Sequence, residues 1–256
     1  MVIRRIREHV AAQNWFAVGI DLAIVVVGVL IATQANNWNE ARLERDRAEA
    51  YRAQLVEDLR ANERMMQDKQ AYYQAVLDHA TAALEAFDKP APQLGEAFLV
   101  DVSQATQISS ARAKRFTYDA LIAAGDLELL GKLGDRIGDY YVALDNTAYL
   151  TSQYPPYRER FRGEIPYDVE LPIRQHCSDI TRQDRRGYFH SSLPSTCTLG
   201  LDKALVARGV ARLRMAPELD RDLSRYVFFL RQVIGFLKGG ERRARDLRQI
   251  IERAEK

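Results

Sequence analysis

Hydrophobic and polar positions change their rhythm several times along the chain, and each rhythm predicts a different element. Residues 16–35 are apolar except for Asp21, Thr33 and Gln34. At a helical rise these twenty residues cover about 30 Å, the thickness of a bilayer's hydrocarbon core. Trp15 and Trp38, the chain's only tryptophans, bracket the segment where interfacial aromatics belong. The pattern predicts a membrane-spanning helix. A cleaved signal sequence is the rival, because Asp21 leaves only Leu22 to Ala32 as an unbroken apolar run and Arg4, Arg5 and Arg7 make a basic start. The carboxylate inside the apolar region, and Gln34, Asn36 and Asn37 after it, argue for an uncleaved anchor instead. YVFFLRQVIGFL, the next most apolar stretch, is interrupted by Arg231, so a single pass is expected.

Between Gly28 and Pro90 there is no glycine or proline, and Ala, Leu, Glu, Arg and Gln dominate. The spanning helix is therefore expected to continue to about Phe87 as one stalk. Its first polar part, EARLERDRAEA, is charged on nearly every face. From Tyr51 an apolar stripe begins and passes through Leu55, Leu59, Met66, Tyr73, Leu77, Ala80, Leu84 and Phe87, in helical steps. The stripe, with Met65 and the Tyr72-Tyr73 doublet beside it, reads as packing and not as a cofactor box.

DKPAPQLGE is a turn by composition, and a second helix is expected over residues 94–106. FTYDALIAAGDLELL reads as a short helix capped by Thr117, with Leu121, Ile122, Leu127 and Leu130 in a core. A further helix over residues 135–153 presents Ile137, Tyr140, Tyr141, Leu144 and Ala148. Residues 154–200 contain prolines at 155, 156, 166, 172 and 194 and no clear period, so an irregular insert is expected. The last helix, residues 217–256, would use Pro217 in its first turn and bury Leu219, Leu223, Tyr226, Leu230, Val233, Ile234 and Leu237. Gly239-Gly240 is expected to kink or end it. The fold class is thus all-α: a single N-terminal transmembrane helix, a long stalk and an extramembrane helical bundle. The expected domains are a basic cytoplasmic tail (1–15), the span (16–35) and an exported domain (36–256).

Composition adds limits to this picture. The chain has 256 residues, 47% hydrophobic and 28% charged, with net charge +2, which is the balance of a packed protein. No concentrated basic face is present to bind nucleic acid, so none is expected as a partner. Basic residues stand on both sides of the span, Arg4, Arg5 and Arg7 before it and Arg42, Arg45, Arg47 and Arg52 after it. A short tail inside and the large domain outside is the simpler arrangement, which places the protein in a bacterial inner membrane with a periplasmic C-terminal domain. Cys177 and Cys197 would then pair as a disulfide. A metal site with His176 and His190, or two separate buried thiols, are the competing readings. The adjacent His176-Cys177 is awkward for a tetrahedral ion, and no metal or cofactor is expected. Gly-x-Ser-x-Gly, His-Glu-x-x-His and phosphate-loop patterns are missing, so no enzyme can be argued.

The candidate chemistry lies in the span. A lone carboxylate about two turns inside the interface is costly unless it is paired, protonated or facing water. Asn14, Asp21, Gly28 and Ala35 recur at sevens, with Ala32 adjacent, so small and polar residues share one face, as in closely packed membrane helices. This face predicts a homo-oligomer or a membrane-protein partner. The box Asn36-Asn37-Trp38-Asn39-Glu40 sits at headgroup level, contacting lipid or neighbouring helices. At the other end GGERRARDLRQIIERAEK is a basic run expected to meet the acidic stalk around Glu40, Glu44, Asp46 and Glu49, or anionic lipid.

Two stretches also resemble a known family. Asp21, the run from Gly28 to Ala32 and the box Asn36 to Glu40, together with FTYDALIAAGDLELL from Phe116, are similar to segments of the DUF6090 family of uncharacterised bacterial proteins. The resemblance implies a membrane-anchored helical protein and adds no activity. The function expected is a non-enzymatic interaction or structural subunit. The alternative is a sensor, or an accessory to ion or proton transport, using Asp21 and a ligand-binding bundle.

Overall fold

The computed structural model describes residues 15–183, 189–194 and 196–254. It is all-α apart from one small hairpin, and it divides into two units between Tyr51 and Arg52. Helix α1, Trp15–Phe87, runs for 73 residues through both. Its length follows from the absence of proline throughout and of glycine beyond Gly28. It ends where Asp88 and Pro90 follow, and Arg214 donates through Nη1 to the carbonyls of Phe87 and Lys89, capping the open helix end.

In the second unit α1 is central. The expected stripe is buried at Leu55, Leu59, Met66, Tyr73, Leu77 and Ala80, but Val56, Asp58, Asn62, Tyr72, Val76 and Ala83 are buried too. The last helix, α8 (Leu219–Ala254), packs antiparallel on it. Arg60 reaches Glu252 at 2.8 Å, Arg248 reaches Glu63 at 2.6 Å, and Gln67 and Gln70 both donate to Glu241, at 2.9 and 2.8 Å. The basic C-terminal run therefore finds acidic partners within this unit. All seven apolar positions expected on α8 are buried.

Gly239-Gly240 does not end α8, which continues to Ala254. A Cβ added at Gly240 would lie 3.1 Å from Met66 Cε and 3.4 Å from Leu144 Cδ2, so this glycine permits the close approach of α1 and of α4, Lys132–Ser152. Sequence alone shows a glycine's tolerance for a break, not the neighbours that require its small size.

Between α2 (Glu96–Gln104) and α3 (Phe116–Ala124) the chain is without regular structure, and its backbone is satisfied by side chains. Asn62 on α1 pairs with both backbone groups of Lys114, donating at 2.9 Å and accepting at 2.6 Å. The Tyr73 hydroxyl accepts from the Ser109 N–H and bonds the carbonyls of Ser109 and Thr151, all at 3.1 Å. Thr151 Oγ1 accepts from the Ala111 N–H at 2.9 Å, and the Tyr141 hydroxyl donates to the Lys114 carbonyl at 3.1 Å. The cap of α3 also comes from α1. Thr117 lies inside the helix, and its N–H donates to Asp58 Oδ2 at 3.1 Å, while Lys114 Nζ stands 3.1 Å from Asp58 Oδ1. Leu121 and Leu130 fill the core as expected, Leu127 is half-buried, and Ile122 faces solvent.

The expected irregular insert is in large part ordered. It forms α5 (Pro156–Glu164), α6 (Tyr167–His176) and an antiparallel hairpin of β1 (Ile180–Gln183) and β2 (Phe189–Ser192), with Ile180 opposite Ser192. Pro155 and Pro166 stand just before the two helices and Pro156 opens one of them, positions that proline favours. The hairpin is largely exposed, so no apolar alternation marks it. Helix α7, Lys203–Met215, is capped by Asp202, which accepts from the Leu205 N–H at 2.8 Å.

Replacing Asn62 with Ala leaves the Lys114 N–H without its acceptor, while the Lys114 carbonyl keeps the Tyr141 hydroxyl. The expected loss is about 1–3 kcal/mol of unfolding free energy, measured by urea denaturation of the full chain. A loss under about 0.5 kcal/mol, the level of ordinary surface changes, would remove Asn62 from its docking role.

The seam between α1 and α8 should be acid-sensitive. Burial raises the Glu241 carboxyl, but hydrogen bonds from Gln67 and Gln70 and the Arg245 charge outweigh it and hold it below its ordinary 4.5. A depressed carboxylate stabilises the fold above the unfolded pKa, and that contribution fades as pH falls through the folded one. Urea midpoints from pH 6 to pH 3 should therefore fall less steeply for Glu241→Gln than for wild type. Parallel curves would exclude this linkage.

Candidate functional site

Three regions bear on function, and the first is the predicted face of α1. Asp21, Gly28, Ala32 and Ala35 are all exposed along the helix, and a Cβ added at Gly28 meets nothing within 4 Å. Asn14 lies outside the described residues, and Trp15 is the first residue of the helix. The apolar residues around this face are exposed on every side, with Leu22, Ile24 and Ile31 between 63 and 64% accessible. Thr33 returns its hydroxyl to the Val29 and Leu30 carbonyls at 3.0 Å, so it presents no unmet donor. In the following box Asn36 Nδ2 donates to Glu40 Oε1 at 3.0 Å, and Asn37, Trp38 and Asn39 are exposed.

The second region is the tied insert. Cys177 and Cys197 form a disulfide with Cα atoms 5.7 Å apart, linking the end of α6 to the chain beyond the hairpin. Both sulfurs are thereby removed from metal binding. His176 is exposed, and His190 Nδ1 lies 2.6 Å from Asp68 Oδ2, so the four residues of the competing metal reading are not assembled into one site. Two residues beyond Cys177, Asp179 joins a half-buried polar group that sequence periodicity does not reveal. The Tyr72 hydroxyl donates to Asp179 Oδ2 at 2.8 Å, and Lys69 Nζ donates to Ser109 Oγ. Burial pushes the Tyr72 hydroxyl far above its ordinary range, and the neighbouring Asp179 charge pushes it further. Burial also raises Asp179 and lowers Lys69. A tyrosine so raised stays protonated and serves as a fixed donor, not as a base. The Tyr72-Tyr73 doublet was the visible signal, but its partner Asp179 is 107 residues away.

The third region is a groove of about 510 Å³ where the end of α4, the Pro155-Pro156 turn and α8 meet. Tyr154, Tyr226 and Phe229 give it apolar walls. At its edge Asp222, only 5% exposed, holds Arg160 at 2.7 Å and Arg225 at 3.1 Å. Among the described residues, neither groove nor insert brings a hydroxyl or thiol nucleophile against a histidine base that a carboxylate orients.

No family model matches the chain, no curated protein matches it, and no solved structure matches it.

The disulfide closes a loop of 20 residues, which corresponds to about 3 kcal/mol in the chain-entropy account. Cys177→Ser with Cys197→Ser should lower unfolding free energy by that order under oxidising conditions. Reductant should then lower wild type to the level of the double variant. Equal stability of oxidised wild type and variant would show that the bond adds nothing to the fold.

Proposed function

We propose that this chain is a membrane-anchored, non-enzymatic interaction or structural subunit. The observation that carries the reading is the uncovered apolar surface of α1, whose most apolar window has a mean hydropathy of 2.2 and no buried residue. Each large aliphatic side chain left in water forgoes about 1.5–3 kcal/mol of burial, and no part of the described chain covers these. A bilayer does so at the right length. The helix then spans once, with the basic residues 1–15 in the cytoplasm of a bacterium and the bundle in the periplasm. The Cys177–Cys197 bond supports that orientation, since such bonds persist in oxidising compartments. The resemblance to the DUF6090 family is consistent with the same topology.

Within the membrane, Asp21, Gly28, Ala32 and Ala35 offer a polar and small-residue face to a second copy or to another membrane protein. Gly28, with open space at its Cβ, lets a neighbouring backbone approach closely. Asp21 gains from a partner because a solitary carboxylate in hydrocarbon is expensive. The work of the protein on this reading is recognition: the span selects the assembly, and the bundle presents its surfaces outside.

Fractionation gives the direct test. The full chain should pellet with membranes and resist alkaline carbonate extraction, and a C-terminal alkaline phosphatase fusion should be active. Removal of residues 1–35 should release the protein. Cross-linking in detergent should show an assembly that Asp21→Asn retains and Asp21→Leu weakens. Carbonate-extractable full-length protein would overturn the anchor, and unchanged assembly in both Asp21 variants would overturn the proposed face.

A further inference from the structure

A polar cavity of about 340 Å³ lies between α5, α6 and the segment after α2. Arg158, Arg162 and Arg174 line it, with Ser103, Ser178 and Asp179. Its charges do not balance internally. Arg174 has Glu170 at 3.5 Å, and Asp179 is held by the Tyr72 hydroxyl with the Lys69 cation nearby. Arg158 also feels the Asp179 charge, so the cavity sets three guanidinium groups against one carboxylate of its own lining.

Arg158 is the unusual member. It is only 8% exposed, one guanidinium nitrogen donates to the Thr106 carbonyl, and its Nε is buried without any acceptor. Its plane is 5.3 Å from the Tyr154 ring, which fixes the guanidinium without neutralising it. Burying a cation carries a desolvation cost, and Arg162 beside it adds like-charge repulsion. Burial first, then Arg162, lowers the Arg158 pKa accordingly. Planar guanidinium groups match the oxygens of carboxylate and phosphate, and a lining with more cations than carboxylates matches a dianion better than a monoanion. The cavity is larger than a bare tetrahedral oxyanion requires, so an ester can carry an organic group into it.

We infer that the cavity between α5 and α6 binds a phosphate group, most simply a phosphate monoester, on Arg158 and Arg162 with Arg174 at its rim. The inference is independent of the membrane reading. Bound phosphate adds negative charge beside the guanidinium groups that line the cavity.

Thermal unfolding of the full-length protein in uncharged detergent tests the site. Sodium phosphate should raise Tm saturably, while sodium chloride at matched ionic strength should not. Arg162→Gln, at an exposed position, should weaken the apparent phosphate affinity at least tenfold. Arg221→Gln, an exposed arginine of α8 paired with Glu218, should leave it unchanged. Arg158→Met should abolish the phosphate response, and if that variant does not fold, Arg162→Gln decides alone. Glycerol phosphate and micelles doped with phosphatidic acid separate a soluble ester from a lipid headgroup as the source, whichever gives the larger shift. The inference is overturned if none of the phosphate probes exceeds chloride, or if the Arg162→Gln titration superimposes on wild type.

Discussion

The bundle depends on how α1 satisfies a stretch of chain that has no regular structure of its own. Between α2 and α3 the backbone runs half-buried against α1 and α4, where unpaired N–H and carbonyl groups are costly. Asp58, Asn62 and Tyr73, spaced along one side of α1, take up those groups, with Tyr141 and Thr151 of α4 completing the set. The side chains do the work that a neighbouring strand would do in a sheet. Because each bond joins residues far apart in sequence, the arrangement fixes α1, α4 and the start of α3 relative to one another. Packing alone leaves helices free to slide by a turn, whereas reciprocal bonds to a single residue, Lys114, do not.

That constraint accounts for the unusual burial of α1 beyond Arg52. A helix at the edge of a bundle needs one apolar face, but this one meets α8, α4 and the connecting segment, so it buries polar residues as well as apolar ones. Gly240 belongs to the same geometry. With Met66 and Leu144 both close to its missing Cβ, α8 settles into the angle between α1 and α4. The charged residues outside this contact, Glu63 with Arg248 and Glu241 with Gln67 and Gln70, keep α8 in register along α1. Being half-exposed, these pairs set alignment more than they add stability.

How much was legible in the sequence follows from which forces act locally. The long α1 and the apolar face of α8 could be read, because both rest on propensity and period within a single element. The roles of Asp58 and Asn62 could not, because each looks like an ordinary polar residue of a helix until Lys114 and Thr117 are brought to it. Thr117 illustrates the error this causes: it was read as its own helix's cap, yet it donates to a cap supplied from 59 residues away. Residues 154–200 were misread for another reason. Their prolines mark helix starts and not helix absence, and the short helices they open offer too few turns for a period to emerge. Of the candidate site residues, the cysteine pair was readable from number and context. The Tyr72 to Asp179 contact was not, since no local pattern links a helix residue to a position beyond α6.

Two features of the molecule are incomplete in themselves, and they are incomplete in opposite senses. The first part of α1 exposes apolar side chains that water disfavours, and the α5–α6 cavity holds a guanidinium that its dry surroundings disfavour. Neither improves stability as it stands. Replacing a buried charge with an apolar residue of similar volume is commonly neutral or favourable to a fold, and a polar surface on α1 would raise solubility. A sequence that serves only folding has no use for either, whereas a chain that must be completed from outside needs both. The apolar surface calls for a large, non-directional environment, as a bilayer provides. Arg158 calls for a directional, charged one of limited size. The two requirements are chemically separate, so each part of the chain can be completed without the other.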